Sequence, residues 1–287
     1  MKNHHKGYTD SAADAQPDYK PQPKHIKSPF RLSIAEKTDD YTTVTKSLLI
    51  YYNEKGGKKV MEMELICRGS FDKYASSIEA NEEYESAEVY LFGFQGFDEV
   101  SYEKELKGET FYFEDVALFS KETSAVVICG TRTDAHGHKR KSAVVAENGR
   151  ILGVSDMTNV IDGETHSGAS LRVYDTKKGR MGVVVDGDLY FPEVIRALVA
   201  CGSDFIVCPY GVITGSIEMI LARAYAFSYG VPIVVCGDGY AFAAGIAGEV
   251  LFASADSPSS FELPAQKEYH LIETRRRGFS KPLQGEY

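Results

Sequence analysis

Two aspartates at the end of an apolar run are the residues whose types and spacing best suit chemistry. The run is Met181–Val185 in GRMGVVVDGDLYFPE, and Asp186 and Asp188 follow it. A loop at a strand end presents side chains on a rigid frame, so a carboxylate there could act as a general base for water. Glu164 in DGE could join them, because neighbouring carboxylates raise one another's pKa and together suit a divalent cation. We favour a structural role, in which the aspartates hold the turn and cap the helix that starts at Pro192.

Histidines are the next candidates for acid–base or metal chemistry. His166 in GETHSG could serve as a base, but we expect a histidine on a surface loop. His136 and His138 in HGH could be metal ligands. Because neither a carboxylate nor a cysteine lies in register with them, we expect a solvent-exposed turn and predict no metal site and no cofactor.

The cysteines have neither the number nor the spacing of a disulfide framework or a zinc site. The five are Cys67, Cys129, Cys201, Cys208 and Cys236. Because most of them lie in apolar runs, we expect buried thiols in a reducing cytoplasm. Cys208 and Cys236 lie in apolar strands, where burial raises the pKa of a thiol. Cys201 lies near a helix C-terminus, where the helix dipole disfavours a thiolate. We therefore expect none of these three to be a nucleophile.

Composition and charge are those of an ordinary globular protein. The 287 residues are 43% hydrophobic and 25% charged, with a net charge of -9, which argues against a nucleic-acid or membrane surface. Neither a signal peptide nor an apolar stretch of the roughly 18 residues that span a bilayer is present, so we predict a cytoplasmic protein. We expect a disordered polar tail at 1–28, one domain at 29–280 and a short tail at 281–287.

Apolar runs and turn residues predict the elements that carry these side chains. Two hairpins are indicated, one across Gly56 and Gly57 and one across Asn148 and Gly149. The last third alternates strand, helix, strand, helix, strand, and its two helices are each closed by a glycine. Together with the hairpins, this order predicts a layered sandwich with helices outside two sheets.

Three motifs of this last third resemble the nitrilase, or carbon-nitrogen hydrolase, superfamily. They are GRMGVVVDGDLYFPEVIRALVACGSDFIVCPYG, ARAYAFSYGVPIVVCGDG and AGIAGEVLFAS. The resemblance covers about residues 30–279 and implies an αββα sandwich, an α/β fold of two mixed sheets with helices on their outer faces. Asp188 and Arg223 match positions that are largely structural in that family.

The resemblance also implies a catalytic triad, and this chain departs from it at all three positions. Family members use a cysteine nucleophile, a glutamate base and a lysine that stabilises the tetrahedral intermediate. Here the cysteine position holds Asp186, the lysine position Met157 and the glutamate position Phe94, with Gly93 where a proline is usual. Glu164 stands at the spacing of the second glutamate that lines the family's pocket.

These substitutions predict a catalytically inactive homologue, retained for binding a small molecule or for subunit association. Because two of the replacements are apolar, we expect a drier cavity than an active enzyme has. One alternative is an active hydrolase of an amide, nitrile or carbamoyl bond that uses Asp186, Asp188 and Glu164, with or without a divalent metal. Another is a non-catalytic subunit that pairs with an active homologue.

The resemblance further implies a homo-oligomer, a dimer or higher, formed through the helices around Pro192–Ala200 and Ser216–Tyr229. We expect neither nucleic acid nor membrane as a partner. The basic run Thr274–Arg277 corresponds to an arginine-rich segment of the family, so we assign it a structural or dimer-side role.

Overall fold

The structure is a computed structural model that describes residues 60–79, 87–97, 99–160, 163 and 165–264. The strands are β1 (Val60–Ile66), β2 (Val89–Phe92), β3 (Glu99–Ser101), β4 (Val126–Ala135), β5 (His138–Glu147), β6 (Arg150–Asp156), β7 (Val173–Thr176), β8 (Gly179–Val183), β9 (Phe205–Val212), β10 (Ile233–Asp238), β11 (Tyr240–Ala244), β12 (Val250–Ser254) and β13 (Ser259–Pro264). The α-helices are α1 (Phe71–Glu79), α2 (Tyr102–Lys107), α3 (Tyr112–Glu122), α4 (Pro192–Ala200) and α5 (Ile217–Tyr229), and a 3₁₀ helix spans Asp186–Tyr190.

Two mixed sheets form the centre of the fold. Sheet A has the strand order β13-β1-β2-β4-β5-β6, with β3 also paired to β4, and sheet B has the order β12-β11-β10-β9-β8-β7. The inner strands β1, β2 and β4 are parallel to one another, as are β8, β9 and β10. Strand β3 is also parallel to β4, and the other pairings are antiparallel. Buried parallel strands explain the continuous apolar runs in the sequence.

Three apolar cores make this a four-layer αββα sandwich. Side chains such as Leu91 and Val207 fill the space between the sheets. Phe92 and Phe119 belong to the core between sheet A and helices α1 and α3, and Leu198 belongs to the core between sheet B and helices α4 and α5. Because successive residues of a strand face opposite sides, β2 sends Val89 and Leu91 to one core and Tyr90 and Phe92 to another. The predicted fold class is confirmed.

The predicted helix ends and hairpin turns agree with the structure where proline, glycine or asparagine marks them. The helix predicted at 192–200 is α4, which has Pro192 in its first turn. Helix α5 ends at Gly230, whose φ of 69° suits glycine. Asn148 and Gly149 both have positive φ and join β5 to β6. Of the hairpin predicted across Gly56 and Gly57, only the second strand, β1, lies within the described residues, and it pairs with β13 and β2.

The polar segment DAHGHKR is mostly strand, which corrects the prediction of a turn. The ladder between β4 and β5 continues to the pair Ala135 and His138. Only His136 and Gly137 lie in the turn, and both have positive φ. A two-residue loop of this kind matches the twist of the flanking strands. The segment is polar because this end of the hairpin is exposed to solvent, and the two strands continue through it. In the described part of the chain, the helices are all too short or too polar to span a membrane.

Candidate functional site

The site is built on the turn that follows β8. Val184 and Val185 continue the strand direction, and the 3₁₀ helix then begins at Asp186, whose φ is 47°. Aspartate tolerates this left-handed conformation better than most residues, because its short polar side chain can form hydrogen bonds close to its own backbone. The turn therefore directs a carboxylate between the sheets at the end of a buried parallel strand.

Both carboxylate oxygens of Asp186 are engaged. The Oδ1 atom accepts a hydrogen bond of 2.9 Å from the backbone N–H of Gly211. A side chain at residue 211 would crowd this oxygen, since a Cβ there would lie 3.2 Å from it. The Oδ2 atom lies 2.7 Å from Nζ of Lys141, and the Asp186 and Lys141 side chains are only 11% and 23% exposed. Asp186 is thus the acidic half of a largely buried ion pair.

Lys141 is the functional residue that the sequence analysis missed. It lies on β5, directly across the hairpin from Met157, whose backbone N–H donates to the Lys141 carbonyl at 2.8 Å. Cross-strand partners face the same side of a sheet, so the lysine reaches the space where the resemblance expects one, but from the neighbouring strand. Counting back from the Asn148-Gly149 turn could have found it, provided that the irregularity between Val145 and Ala146 was included.

Asp188 has a structural role that differs from helix capping. It is 1% exposed, and its carboxylate accepts hydrogen bonds from the backbone N–H groups of Thr158 and Asn159, each at 2.8 Å. The Thr158 hydroxyl and the Asn159 amide also donate to it. Helix α4 instead begins after Phe191 without a side-chain cap, so the predicted capping role is wrong. Asp188 ties the turn to the segment after β6 and does not line the cavity described below.

The three positions that the resemblance assigns to a catalytic triad lie in two different surroundings. Asp186 and Phe94 line one cavity, and the Phe94 backbone N–H donates to the Tyr210 carbonyl of the opposite sheet at 3.3 Å. Met157 is 1% exposed and packs in the core between the sheets. Glu164 and the basic run Thr274–Arg277 lie outside the described residues. Arg223 donates through Nε to the Gly248 carbonyl at 2.6 Å, a structural contact.

The cavity has a volume of about 460 Å³, which is within the range of small-molecule sites. It is open between the two sheets because Met157 fills the core and not the cavity. Its lining contains four charged side chains, so the expectation of a drier cavity is wrong. The cations are Arg132 on β4 and Lys141 on β5, and the anions are Asp186 and Asp238. The lining residues are Phe94, Gln95, Arg132, Lys141, Asp186, Tyr210, Gly211, Val212 and Asp238.

A tyrosine of the cavity wall connects to a buried carboxylate. Glu218, 3% exposed in the first turn of α5, accepts a hydrogen bond of 2.8 Å from the Tyr190 hydroxyl. The Tyr210 hydroxyl lies 3.2 Å from the same Glu218 oxygen and 3.1 Å from the Tyr190 hydroxyl. Burial, followed by the contact with Tyr190, raises the pKa of Tyr210. Tyr210 therefore keeps its proton and acts as a neutral wall of the cavity.

The histidines lie away from this cavity. His166 is exposed, and its backbone N–H donates to the Lys139 carbonyl at 2.7 Å. Its ring meets the His138 ring edge-on at a centroid distance of 4.7 Å, while His136 pairs with Glu103. Across residues 60–264, gaps excepted, no group of three or more His, Cys, Asp or Glu side chains could hold a metal ion.

All five cysteines are described, and all are free thiols. Burial raises the pKa of Cys208, to which the Asp186 and Asp188 carboxylates add a further increase. Burial also raises the pKa of Cys236. The raised pKa values of these two buried thiols agree with the prediction. Cys201 lies at the C-terminus of α4, as predicted, but it is exposed, so the expectation of a buried thiol is wrong there. None of the cysteines lines the cavity.

Comparison with known proteins gives matches only at the level of structure. No protein-family model matches the sequence, and no curated protein matches it either. Among solved structures, a carbon-nitrogen hydrolase from Helicobacter pylori G27 is similar with a TM-score of 0.61 and 17% identity, covering 77% of this chain and 93% of that one. Nit3 of Saccharomyces cerevisiae, a member of branch 10 of the nitrilase superfamily, has a TM-score of 0.61 and 14% identity over 79% and 96%.

An amidase from Nesterenkonia sp. AN1 is also similar, with a TM-score of 0.61 and 16% identity over 71% of this chain and 90% of that one. A mutant of that amidase carries the acetamide moiety of fluoroacetamide covalently on its active-site cysteine. Identities this low show shared architecture and leave the chemistry open. The described chain therefore has the αββα fold of the nitrilase, or carbon-nitrogen hydrolase, superfamily.

Proposed function

We propose that this protein is a nitrilase-superfamily homologue that is inactive as a cysteine-dependent amidase or nitrilase and that binds a small molecule between its two sheets. The observation that carries the proposal is the ion pair between Asp186 and Lys141, 2.7 Å apart on the cavity wall. Where the similar amidase carries an active-site cysteine to which the acetamide moiety of fluoroacetamide is added covalently, this chain has by resemblance a carboxylate held by an ammonium group and a backbone N–H.

The chemistry of the Asp186 and Lys141 pair argues against nucleophilic attack on an amide by this site. A carboxylate that attacked an amide would form an anhydride-like intermediate, and its expelled amine is a poorer leaving group than the carboxylate itself, so the step runs uphill. The pairing with Lys141 further weakens Asp186 as a nucleophile, because the ammonium stabilises the negative charge. Cys208 and Cys236 have raised thiol pKa values and no access to the cavity. An open cavity of ligand size remains, and it favours binding.

The test measures turnover and binding on the same protein. We expect no ammonia release above background from a panel of amides, nitriles and carbamoyl compounds, and saturable binding of at least one small molecule by calorimetry. Asp186→Ala should weaken that binding, whereas Asp175→Ala, at an exposed ion pair with Arg180, should not. Ammonia release that disappears in Asp186→Ala and persists in Asp175→Ala would overturn the proposal.

An active hydrolase with a carboxylate site is the second candidate. It is favoured by the presence of a carboxylate and a cation, Asp186 and Lys141, on the same cavity wall: the first could activate water and the second could stabilise an oxyanion. If this is correct, Asp186→Asn should abolish turnover while Lys141→Arg keeps part of it. Turnover that stops with a chelator and returns with magnesium or manganese would support the version with a divalent metal.

Subunit association is a further part of the proposal. Helix α5 exposes Ile217, Ile220 and Phe227, each more than half exposed, and such side chains are typical of surfaces that pair with another subunit. We expect Ile220→Glu to lower the mass measured by light scattering. Leu106→Glu, at an 87% exposed position on α2, is the matched control. A monomeric wild-type protein that also fails to co-purify with an active homologue would remove both the homo-oligomer and the partner-subunit role.

The proposal also assigns the protein to the cytoplasm. Its five free thiols suit a reducing compartment. Imaging of the full chain with a fluorescent tag, together with fractionation, would test this assignment.

A further inference from the structure

We propose that the ligand of the cavity is a small zwitterion, a molecule such as an amino acid that carries one carboxylate and one ammonium group. This inference rests on the proposed binding function and specifies its ligand class. The argument comes from the charges on the cavity wall, which are two cations and two anions: Arg132, Lys141, Asp186 and Asp238.

Two of the four charges neutralise each other. Lys141 and Asp186 are 2.7 Å apart and mostly shielded from solvent, and Asp186 also accepts the Gly211 N–H. A ligand that competed for either group would have to break a shielded ion pair, which is costly. The pair therefore forms a closed polar wall, and ligand recognition falls to the other two charges.

Arg132 and Asp238 are these other charges, and they come from opposite sheets. Arg132 lies on β4 of sheet A and Asp238 ends β10 of sheet B. Neither side chain forms an ion pair or side-chain hydrogen bond with another residue of the described ranges. A guanidinium offers a planar pair of donors that matches a carboxylate, and an aspartate offers acceptors for an ammonium group. Each open charge is thus complementary to one end of a zwitterion.

The balance of charge discriminates between ligand classes. A simple anion that binds Arg132 is repelled by Asp238. A simple cation that binds Asp238 is repelled by Arg132. A molecule with both groups satisfies both residues and leaves the cavity neutral. Phe94 and Val212 supply apolar surface in the same cavity, which suits a methylene chain between the two charged groups.

The experiment compares a zwitterion with its two halves on the full-length protein. The probes are γ-aminobutyrate, butyrate and n-butylamine, with glycine and ε-aminocaproate to vary the distance between the charges. For the wild type we expect at least one zwitterion to bind at least tenfold more tightly than butyrate or n-butylamine. The ratio of zwitterion affinity to butyrate or n-butylamine affinity should decrease at high salt, because the cavity is open to screening ions.

Two charge-neutralising variants give the sharper readout. Arg132→Gln should remove the gain from the carboxylate, so that the zwitterion binds no better than n-butylamine. Asp238→Asn should remove the gain from the ammonium group, so that the zwitterion binds no better than butyrate. Arg150→Gln, exposed on β6, and Asp175→Asn, exposed on β7, are controls off the cavity and should change neither affinity.

The outcomes separate this inference from the proposed function. The zwitterion assignment would be overturned if no zwitterion bound more tightly than the tighter-binding of butyrate and n-butylamine. It would also be overturned if each variant weakened the binding of butyrate and of n-butylamine equally. If uncharged amides or nitriles bind and no zwitterion does, the zwitterion assignment fails while small-molecule binding stands. If no compound of either panel binds the folded wild-type protein, both fail.

Discussion

The ion pair between Asp186 and Lys141 changes how the substituted site is understood at the scale of single residues. A resemblance-based comparison of positions finds a cysteine, a lysine and a glutamate lost. The structure shows a lysine on β5, Lys141, with its Nζ 2.7 Å from the Asp186 carboxylate. A buried aspartate without such a cation would be costly, so Asp186 depends on Lys141 for its place in this turn.

Unfolding measurements can test this coupling. We expect Lys141→Met and Asp186→Asn each to lower the free energy of unfolding by about 1–3 kcal/mol, because each breaks a charge-assisted hydrogen bond that is shielded from solvent. The double variant should lose less than the sum, with a coupling energy of about 0.5–3 kcal/mol, as for residues in direct contact. Urea denaturation of the four proteins of the cycle gives these values.

Lys139 provides a control for that cycle on the same strand. It pairs with Glu99 at the same distance, 2.7 Å, but the two side chains are 52% and 40% exposed. Solvent screening weakens an exposed pair, so Lys139→Met should cost less than Lys141→Met. Strictly additive losses in the Lys141 and Asp186 cycle would show that the pair is not coupled.

The β5–β6 hairpin is the element that brings Lys141 to the site. Its turn fixes which residues of the two strands face each other, and a one-residue slip would direct Lys141 to the other side of the sheet. Asn148 and Gly149 both adopt positive φ in this turn, and Lys141 lies seven residues before Asn148. The position of a cavity charge thus depends on a turn at the far end of the hairpin.

Two glycine-to-alanine variants compare the two hairpin turns of this sheet. Gly137 and Gly149 have φ values of 82° and 77°, so alanine at either should cost roughly 1–2 kcal/mol of backbone strain. Added Cβ atoms differ in their surroundings: at residue 137 nothing lies within 4 Å, whereas at residue 149 Cδ of Lys121 lies at 3.3 Å. We therefore expect Gly149→Ala to be the more destabilising in urea denaturation. Equal losses would show that the contact with Lys121 adds nothing.

Four buried thiols couple the stability of the whole molecule to alkaline pH. Burial raises the pKa of Cys67, Cys129, Cys208 and Cys236 above the ordinary thiol value of 9.0. The unfolded chain therefore loses thiol protons at a lower pH than the folded chain does. Where the unfolded state binds fewer protons, the free energy of unfolding falls as pH rises. The contribution of the thiols is fully present below about pH 9 and declines above it.

This decline can be measured between about pH 9 and pH 10, before most tyrosines ionise. The free energy of unfolding from urea denaturation should be nearly independent of the thiols at pH 7 to 8 and should fall above pH 9. Replacing Cys129 and Cys208 by alanine together should make the decline shallower, although cavity formation lowers the starting stability. An unchanged slope in this double variant would contradict the assignment of the decline to buried thiols.

Much of the fold was predictable from the sequence because its signals are local. Continuous apolar runs such as Met181–Val185 indicate buried strands, and the proline and glycine around residues 192–202 indicate a bounded helix. The motif GRMGVVVDGDLYFPE, with its neighbours, was sufficient to predict the αββα sandwich that the structure contains. It also identified Asp186 as the residue at the turn that follows the buried strand β8.

The composition of the cavity was decided only by the tertiary structure. Arg132 and Asp238 are more than 100 residues apart and line the same cavity because two sheets stack, and Asp188 reaches Thr158 and Asn159 from about 30 residues away. A side chain's type and its periodicity are properties of a short segment, whereas its neighbours depend on strand register, bulges and sheet packing. The sequence alone therefore determined the scaffold and the substituted turn, and the stacking of the sheets determined which charges surround it.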